Sequence, residues 1–224
     1  MKRSEINTLI SDSITFFNEM KFTLPKWAYW SPEQWKGKYE TGSEIVENML
    51  GWDLTDFGSG NFEKQGLILF TLRNGNQKKD KKIYAEKIMI VEELQETPMH
   101  FHWSKMEDII NRGGGNLVIE LNKADKNDEF SKDDFEVKID GFTKKVSPGD
   151  KVILEPGESI CLEQRVYHRF YGEPGKGKVL VGEVSAVNDD STDNRFYVPA
   201  GRFPEIEEDE VPKYLLASDY RNFI

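Results

Sequence analysis

The chain is poor in the residues that staple small folds or build thiolate metal sites: it has one cysteine in 224 residues. That single thiol, Cys161, excludes an internal disulfide framework and a cysteine-built zinc site, and it suits a reducing compartment. Positive charge is also scarce. Thirty Lys and Arg stand against forty Asp and Glu, a net charge of −10. This argues against nucleic acid and anionic membrane as partners, because both need a cationic face. No window approaches the run of about 18 apolar residues that a membrane span requires. The opening MKRSEINTLISDSITFFNEM carries charges but no unbroken apolar stretch, so it does not read as a secretory signal. The expectation is a soluble, cytoplasmic protein.

Core-forming material is plentiful. Apolar residues make up 38% of the chain and aromatics 12%, with five Trp and fourteen Phe, which excludes disorder for the bulk and suits one domain with extensions. Residues 1 to about 53 read as helical. Ile6, Leu9, Ile10, Ile14 and Phe17 recur at helical spacing behind Ser4 as N-cap. SPEQW is a Ser-Pro helix start, and SEIVENMLG offers Ser43 as cap and Gly51 as stop. From about residue 66 the texture becomes short apolar or alternating runs, among them GLILFTLRNGN, KIYAEKIMIVEE, NLVIEL, FEVKIDG and KVLVGEVSAV, separated by Gly, Pro, Asn or Asp. Such spacing predicts an antiparallel sandwich or barrel. The expected plan is a helical extension over 1–65 packed on a β-barrel over 66–224. Its tail carries the acidic run EIEEDE, read as a solvated face, and a short helix in PKYLLASDYRNF.

Histidine is nearly as rare as cysteine, with three in the chain, yet two stand one residue apart in MHFHWSKMED. On a strand, residues i and i+2 share a face, so His100 and His102 aim two imidazoles the same way. Glu107 follows after a gap long enough for a tight turn, and His168 lies near the end of another predicted strand. Three nitrogens and one oxygen converging inside a barrel suit a divalent transition metal with positions left open for water or substrate. By itself a His-x-His pair is also what two ordinary core or surface residues look like. The fact that every histidine falls in the set is what favours a metal.

At these residues the sequence resembles the cupin superfamily of small antiparallel β-barrels with an internal metal. His100-x-His102, Glu107 and Gly114 match its first motif, and Gly157 with His168 its second; Glu163, Arg165 and Gly172 stand where that second motif has Pro, Gly and Asn. The longer strings PMHFHW, EDIINRGGGNL, PGESICL and VLVGEVS are similar to the D-lyxose isomerases, manganese-dependent cupin sugar isomerases, and the likeness runs nearly end to end. The resemblance implies a mainly β, cupin-type (jelly-roll) barrel. It also implies a homodimer that isomerises D-lyxose to D-xylulose, with D-mannose to D-fructose as a second activity. The metal implied is Mn²⁺, and the ligand set is compatible with Co²⁺, Fe²⁺ or Zn²⁺.

Isomerisation of an aldose needs a base at the C2 hydrogen and a group that relays protons between O1 and O2. Glu183, in the otherwise apolar VLVGEVSAV, is the candidate base, since burial would raise its pKa toward a working range. An outward-facing Glu on an alternating strand is the plain alternative. Lys105, between His102 and Glu107, could stabilise negative charge on the sugar oxygens or be a surface lysine in a turn. Glu86 and Lys87, neighbours on one strand, are also candidate substrate-binding residues, and one of the two must face inward. Asp189, Asp190 and Arg202 are candidates to bind sugar hydroxyls from a loop over the barrel mouth. Trp52 and Phe62 could wall the sugar's carbon face, while Phe101 and Trp103 alternate with the histidines and point away. Two other classes remain open on sequence: an iron-dependent cupin oxygenase and a sugar-binding module without chemistry. A phosphosugar isomerase is disfavoured, because no cationic cluster accompanies the motif beyond Lys105 and Arg112.

Overall fold

The apolar stripe at the N-terminus forms helix α1 (Arg3–Glu19) in the computed structural model, which describes residues 1–76, 79, 81–187, 192–201 and 204–224. The helix starts before the expected cap. Lys2 is the cap residue, and its backbone N–H donates to the Glu5 carboxylate at 2.8 Å. Ser4 instead donates its N–H and its hydroxyl to Asp209, at 2.9 and 2.7 Å. The Ser-Pro start behaves as predicted: α2 (Pro32–Trp35) opens on Pro32, and the Gln34 side chain accepts from the Ser31 N–H at 2.9 Å. Helix α3 (Tyr39–Glu47) begins ahead of Ser43. Gly51 does not stop it but opens a strand, at a φ of +112° where any side chain would run into Tyr220.

The strands are β1 (Gly51–Thr55), β2 (Leu67–Arg73), β3 (Tyr84–Val91), β4 (His100–His102), β5 (Glu107–Gly114), β6 (Leu117–Lys123), β7 (Phe135–Ile139), β8 (Phe142–Val146), β9 (Lys151–Leu154), β10 (Ser159–Leu162), β11 (Val166–Gly172), β12 (Val179–Ala186) and β13 (Asn194–Phe196). They make two antiparallel sheets, ordered β1-β2-β3-β12-β5-β10-β7-β8 and β13-β4-β11-β6-β9. This is the mainly β, cupin-type barrel expected from the sequence. The reading of residues up to about 53 as helical is corrected at its end: β1 is an edge strand of the larger sheet, paired with β2 from Gly51 opposite Thr71 to Thr55 opposite Leu67.

One core lies between the sheets, with Met89, Ile109 and Val181 from the larger facing Ile119, Leu121 and Phe170 from the smaller. A second lies outside, where Ile6, Ile10 and Phe17 of α1 cover Trp52, Phe70 and Ile88. Strand β3 is therefore buried on both faces over most of its length, which is why the unbroken apolar run IMIV follows Lys87. The acidic run 205–210 is solvent-exposed at every position but Ile206, as expected, yet part of it is tied down. Arg3, almost fully buried, pairs with Glu208 at 2.7 Å and Asp219 at 2.9 Å, so the C-terminal segment straps the start of α1. The helix expected in PKYLLASDYRNF shrinks to a 3-10 turn (Ala217–Asp219) and α4 (Tyr220–Phe223). Among the described residues, no helix is long and apolar enough to cross a membrane.

Candidate functional site

Strand β4 is three residues long, and its pleat turns His100 and His102 inward and Phe101 outward against Tyr167. Strand β11 pairs with it so that His168 lies directly opposite His100. The ring centroids of these two are 4.3 Å apart, and that of His102 is 5.1 Å from His100 and 5.6 Å from His168. One ring nitrogen of each histidine falls within 4.8 Å of the others. Glu107, at the start of β5 in the opposite sheet, places Oε1 3.0 Å from His168 Nε2 and 3.3 Å from His102 Nε2. Two sheets thus converge on four side chains that the sequence spread over 69 positions, His100 to His168.

Backbone carbonyls orient two of the rings. His100 Nδ1 lies 2.8 Å from the Pro98 carbonyl and His168 Nδ1 3.0 Å from that of Val166. Donation at Nδ1 leaves each Nε2 lone pair free to face the cavity. His102 differs: both its ring nitrogens are buried without a hydrogen-bond partner, since its approach to Glu107 lacks hydrogen-bond geometry. Burying an unmatched nitrogen is costly, and a cation in the cluster would satisfy it. Burial, with the neighbouring imidazoles, pushes His100 well below the usual histidine pKa. Burial and the Lys105 ammonium push His102 down as well. Burial opposes ionisation of Glu107, yet Lys105 and the imidazoles hold its carboxyl well below the usual range. Neutral imidazoles beside an ionised carboxylate are the protonation states a metal requires, and the N/O donor set suits a divalent ion.

The inner face of the larger sheet supplies a second group of polar side chains. Thr71, Lys87 and Glu183 stand in register across β2, β3 and β12. Glu183 Oε1 accepts from Lys105 Nζ at 3.0 Å, Ser185 Oγ at 3.0 Å and Lys87 Nζ at 3.3 Å. Lys105 Nζ also lies 2.6 Å from Glu107 Oε2, so its ammonium bridges the two carboxylates. Rather than projecting from a surface turn, Lys105 is 3% exposed. Lys105 and Lys87 thus both bring their amino groups within hydrogen-bond reach of the Glu183 carboxylate. Both groups open on one cavity of about 470 Å³.

The strand register resolves the Glu86/Lys87 ambiguity. Lys87 points inward, whereas Glu86 points to the outer face and pairs with Arg73, which corrects the expectation that Glu86 binds the sugar. Trp52 and Phe62 do not reach the cavity either: Trp52 stacks on Phe17 under α1, and Phe62 packs against the same outer core. The apolar wall comes instead from Phe57 and Phe196, in edge contact at 6.3 Å between centroids. Asp189, Asp190 and Arg202 lie outside the described residues. Sequence reasoning missed Asp53 and Thr55, which alternate along β1 into the cavity, and Ser185, whose i+2 spacing from Glu183 was a usable signal.

Comparison with known proteins agrees with this geometry. The D-lyxose isomerase family matches residues 1–220. D-lyxose/D-mannose isomerases of Escherichia coli O157:H7 and Serratia proteamaculans are 50% and 49% identical over 227 aligned residues, covering 100% of this chain and of each relative. In fold, the chain resembles the L-ribose isomerase of Cellulomonas parahominis solved with L-ribose, at a TM-score of 0.61 and 14% identity, covering 92% of this chain and 98% of that one. With a family match over nearly its whole length and relatives at half identity, the chain belongs to the D-lyxose isomerase family, and it is a sugar isomerase.

Proposed function

We propose that the chain converts D-lyxose to D-xylulose and D-mannose to D-fructose by proton transfer through an enediol, as a manganese-dependent homodimer of the cytoplasm. The observation that carries the reading is the meeting of Glu183 and Lys105 with the three-histidine cluster in one cavity. A divalent ion held by His100, His102, Glu107 and His168 would supply Lewis acidity toward the sugar's oxygens, lowering the C2–H pKa.

Glu183 is the base. It takes the C2 proton, and the C–H electron pair becomes the C1=C2 double bond as the C1 carbonyl opens to an alkoxide. The Lys105 ammonium donates a proton to O1, giving the enediol, and its amine then accepts the O2 proton as the C2 carbonyl forms. Glu183 returns its proton to C1, so both groups end in their starting states and no atom is gained or lost. Lys87, 3.3 Å from Glu183, holds the carboxylate toward the cavity and is placed to hydrogen-bond a sugar hydroxyl.

The test is a screen of free pentoses and hexoses with protein stripped of metal and reloaded with Mn²⁺. Ketose should form from D-lyxose and D-mannose only after reloading. No product from any aldose would overturn the reading. Size-exclusion chromatography at micromolar concentration should give a dimer, and a monomer would remove that part of it.

A further inference from the structure

The connection from β4 to β5 spans only Trp103 to Met106, yet it joins His102 to Glu107 and carries Lys105. So short a link must be held firmly if the Lys105 ammonium is to stay between two carboxylates. The grip comes from outside it, from a residue the sequence did not single out. Asp193 lies just ahead of β13, whose first residue Asn194 pairs with His102. Its carboxylate accepts from the Ser104 N–H at 2.8 Å, the Ser104 hydroxyl at 2.6 Å and the Lys105 N–H at 3.0 Å. Its own backbone carbonyl accepts from the Trp103 N–H at 3.1 Å. Three consecutive N–H groups of the connection are thus bound by one residue, which is 6% exposed.

We propose that Asp193 is a positioning residue for Lys105: by binding the backbone of Trp103, Ser104 and Lys105, it sets where the ammonium sits between Glu183 and Glu107. It touches none of the reacting atoms in this arrangement. Among the described residues the connection has further anchors: Gln164 Nε2 to the Ser104 carbonyl at 3.0 Å, the Ala186 N–H to the Met106 carbonyl at 3.0 Å, and the ion pairs of Lys105 itself. Gln164 holds Ser104 and Ala186 holds Met106, while the ion pairs act through a long flexible side chain, so none of these binds the Lys105 N–H as Asp193 does. Charge-assisted hydrogen bonds to a carboxylate are the strong ones, and a misplacement of about 1 Å can cost on the order of 10² in rate. The inference rests on the proposed role of Lys105 in proton relay.

The experiment compares Asp193→Asn, Asp193→Ala and Lys105→Met, and the double variant Asp193→Ala/Lys105→Met, all loaded with Mn²⁺ and assayed on D-lyxose. Asparagine can still accept both Ser104 donors but turns an amide nitrogen toward the Lys105 N–H; alanine accepts none of the three. Turnover should therefore fall in the order wild type, Asp193→Asn, Asp193→Ala, by about tenfold or more at the last step. KM and bound manganese should stay within about twofold of wild type, which a merely structural defect would not respect. On the Lys105→Met background, Asp193→Ala should add less than about a twofold loss, because it acts through the residue already removed. Wild-type turnover by folded Asp193→Asn and Asp193→Ala, or a full multiplicative loss in the double variant, would overturn the proposal. Wild-type turnover by Lys105→Met would instead remove the relay role itself, a different failure.

Discussion

Replacing Glu183 by Gln isolates the proposed base, because the side chain keeps its shape while losing the charge and the proton acceptor. Glu183 Oε1 takes three donors, from Lys87, Lys105 and Ser185, and an amide oxygen can go on accepting from them. None of the proposed metal ligands is touched, and Lys105 keeps Glu107 at 2.6 Å. Some stability is lost, since two buried ammonium groups now face a neutral acceptor; a hydrogen bond to a charged group is worth about 1.5–3 kcal/mol. The larger effect is on turnover. A positioned acid–base group contributes about 10²–10⁴ in rate, or about 2.7–5.4 kcal/mol of barrier at 1.36 kcal/mol per tenfold. Substrate binding should change little, because the lost interaction matters in the transition state. Ketose formation from D-lyxose gives the turnover, metal analysis confirms the site, and incorporation of solvent deuterium at the transferred hydrogen reports the proton route. Turnover by Glu183→Gln within about tenfold of wild type, with metal and fold intact, would refute the reasoning and shift the base to Lys105.

Three further outcomes follow from the same geometry. Removing one ring from the cluster in His102→Ala should leave bound metal well below one per chain after purification, and full occupancy would show that the cluster does not hold it. Arg3→Ala should lower unfolding free energy by about 3–5 kcal/mol, because Asp219, itself buried, loses its cationic partner and keeps the Leu216 N–H at 2.9 Å; Glu208, 57% exposed, adds little. An unchanged denaturation midpoint for Arg3→Ala would show the strap to be energetically idle. In metal-free protein, His100 and His102 have folded pKa values below the free value of 6.5, so the unfolded chain takes up protons first and stability falls as the pH drops below that value. The depressed Glu107 extends the loss below 4.5. Denaturant titrations from about pH 7.5 to about pH 5.5 should show declining stability, and a rise would contradict the assigned protonation states.

Local periodicity made much of this protein legible. An i, i+2 pair of histidines on a strand and an apolar stripe at helical spacing are both short-range facts, and His100, His102 and α1 appear where they were expected. The strings shared with the D-lyxose isomerases carried the family. Other features depended on residues far apart in the chain. Period two says that Glu86 and Lys87 face opposite ways but not which faces inward; the pairing of β3 with β2 and β12 decides that. Strand β1 hid behind a helical segment because Trp52 and Leu54 are apolar toward α1 while Asp53 and Thr55 line the cavity, an alternation too short to stand out. The EIEEDE run is the solvated face it looked like, but its tie to Arg3 was hidden because Arg3 and Glu208 lie 205 positions apart. Lys105 and Asp193 are the extreme case. In the sequence Lys105 could be either a charge beside the ligands or a surface lysine in a turn, and only the tertiary fold puts carboxylates on it and a distant aspartate behind it. Side-chain alternation is written into neighbouring residues, whereas the choice of face, and what meets there, is set by strand register and sheet packing across the whole chain.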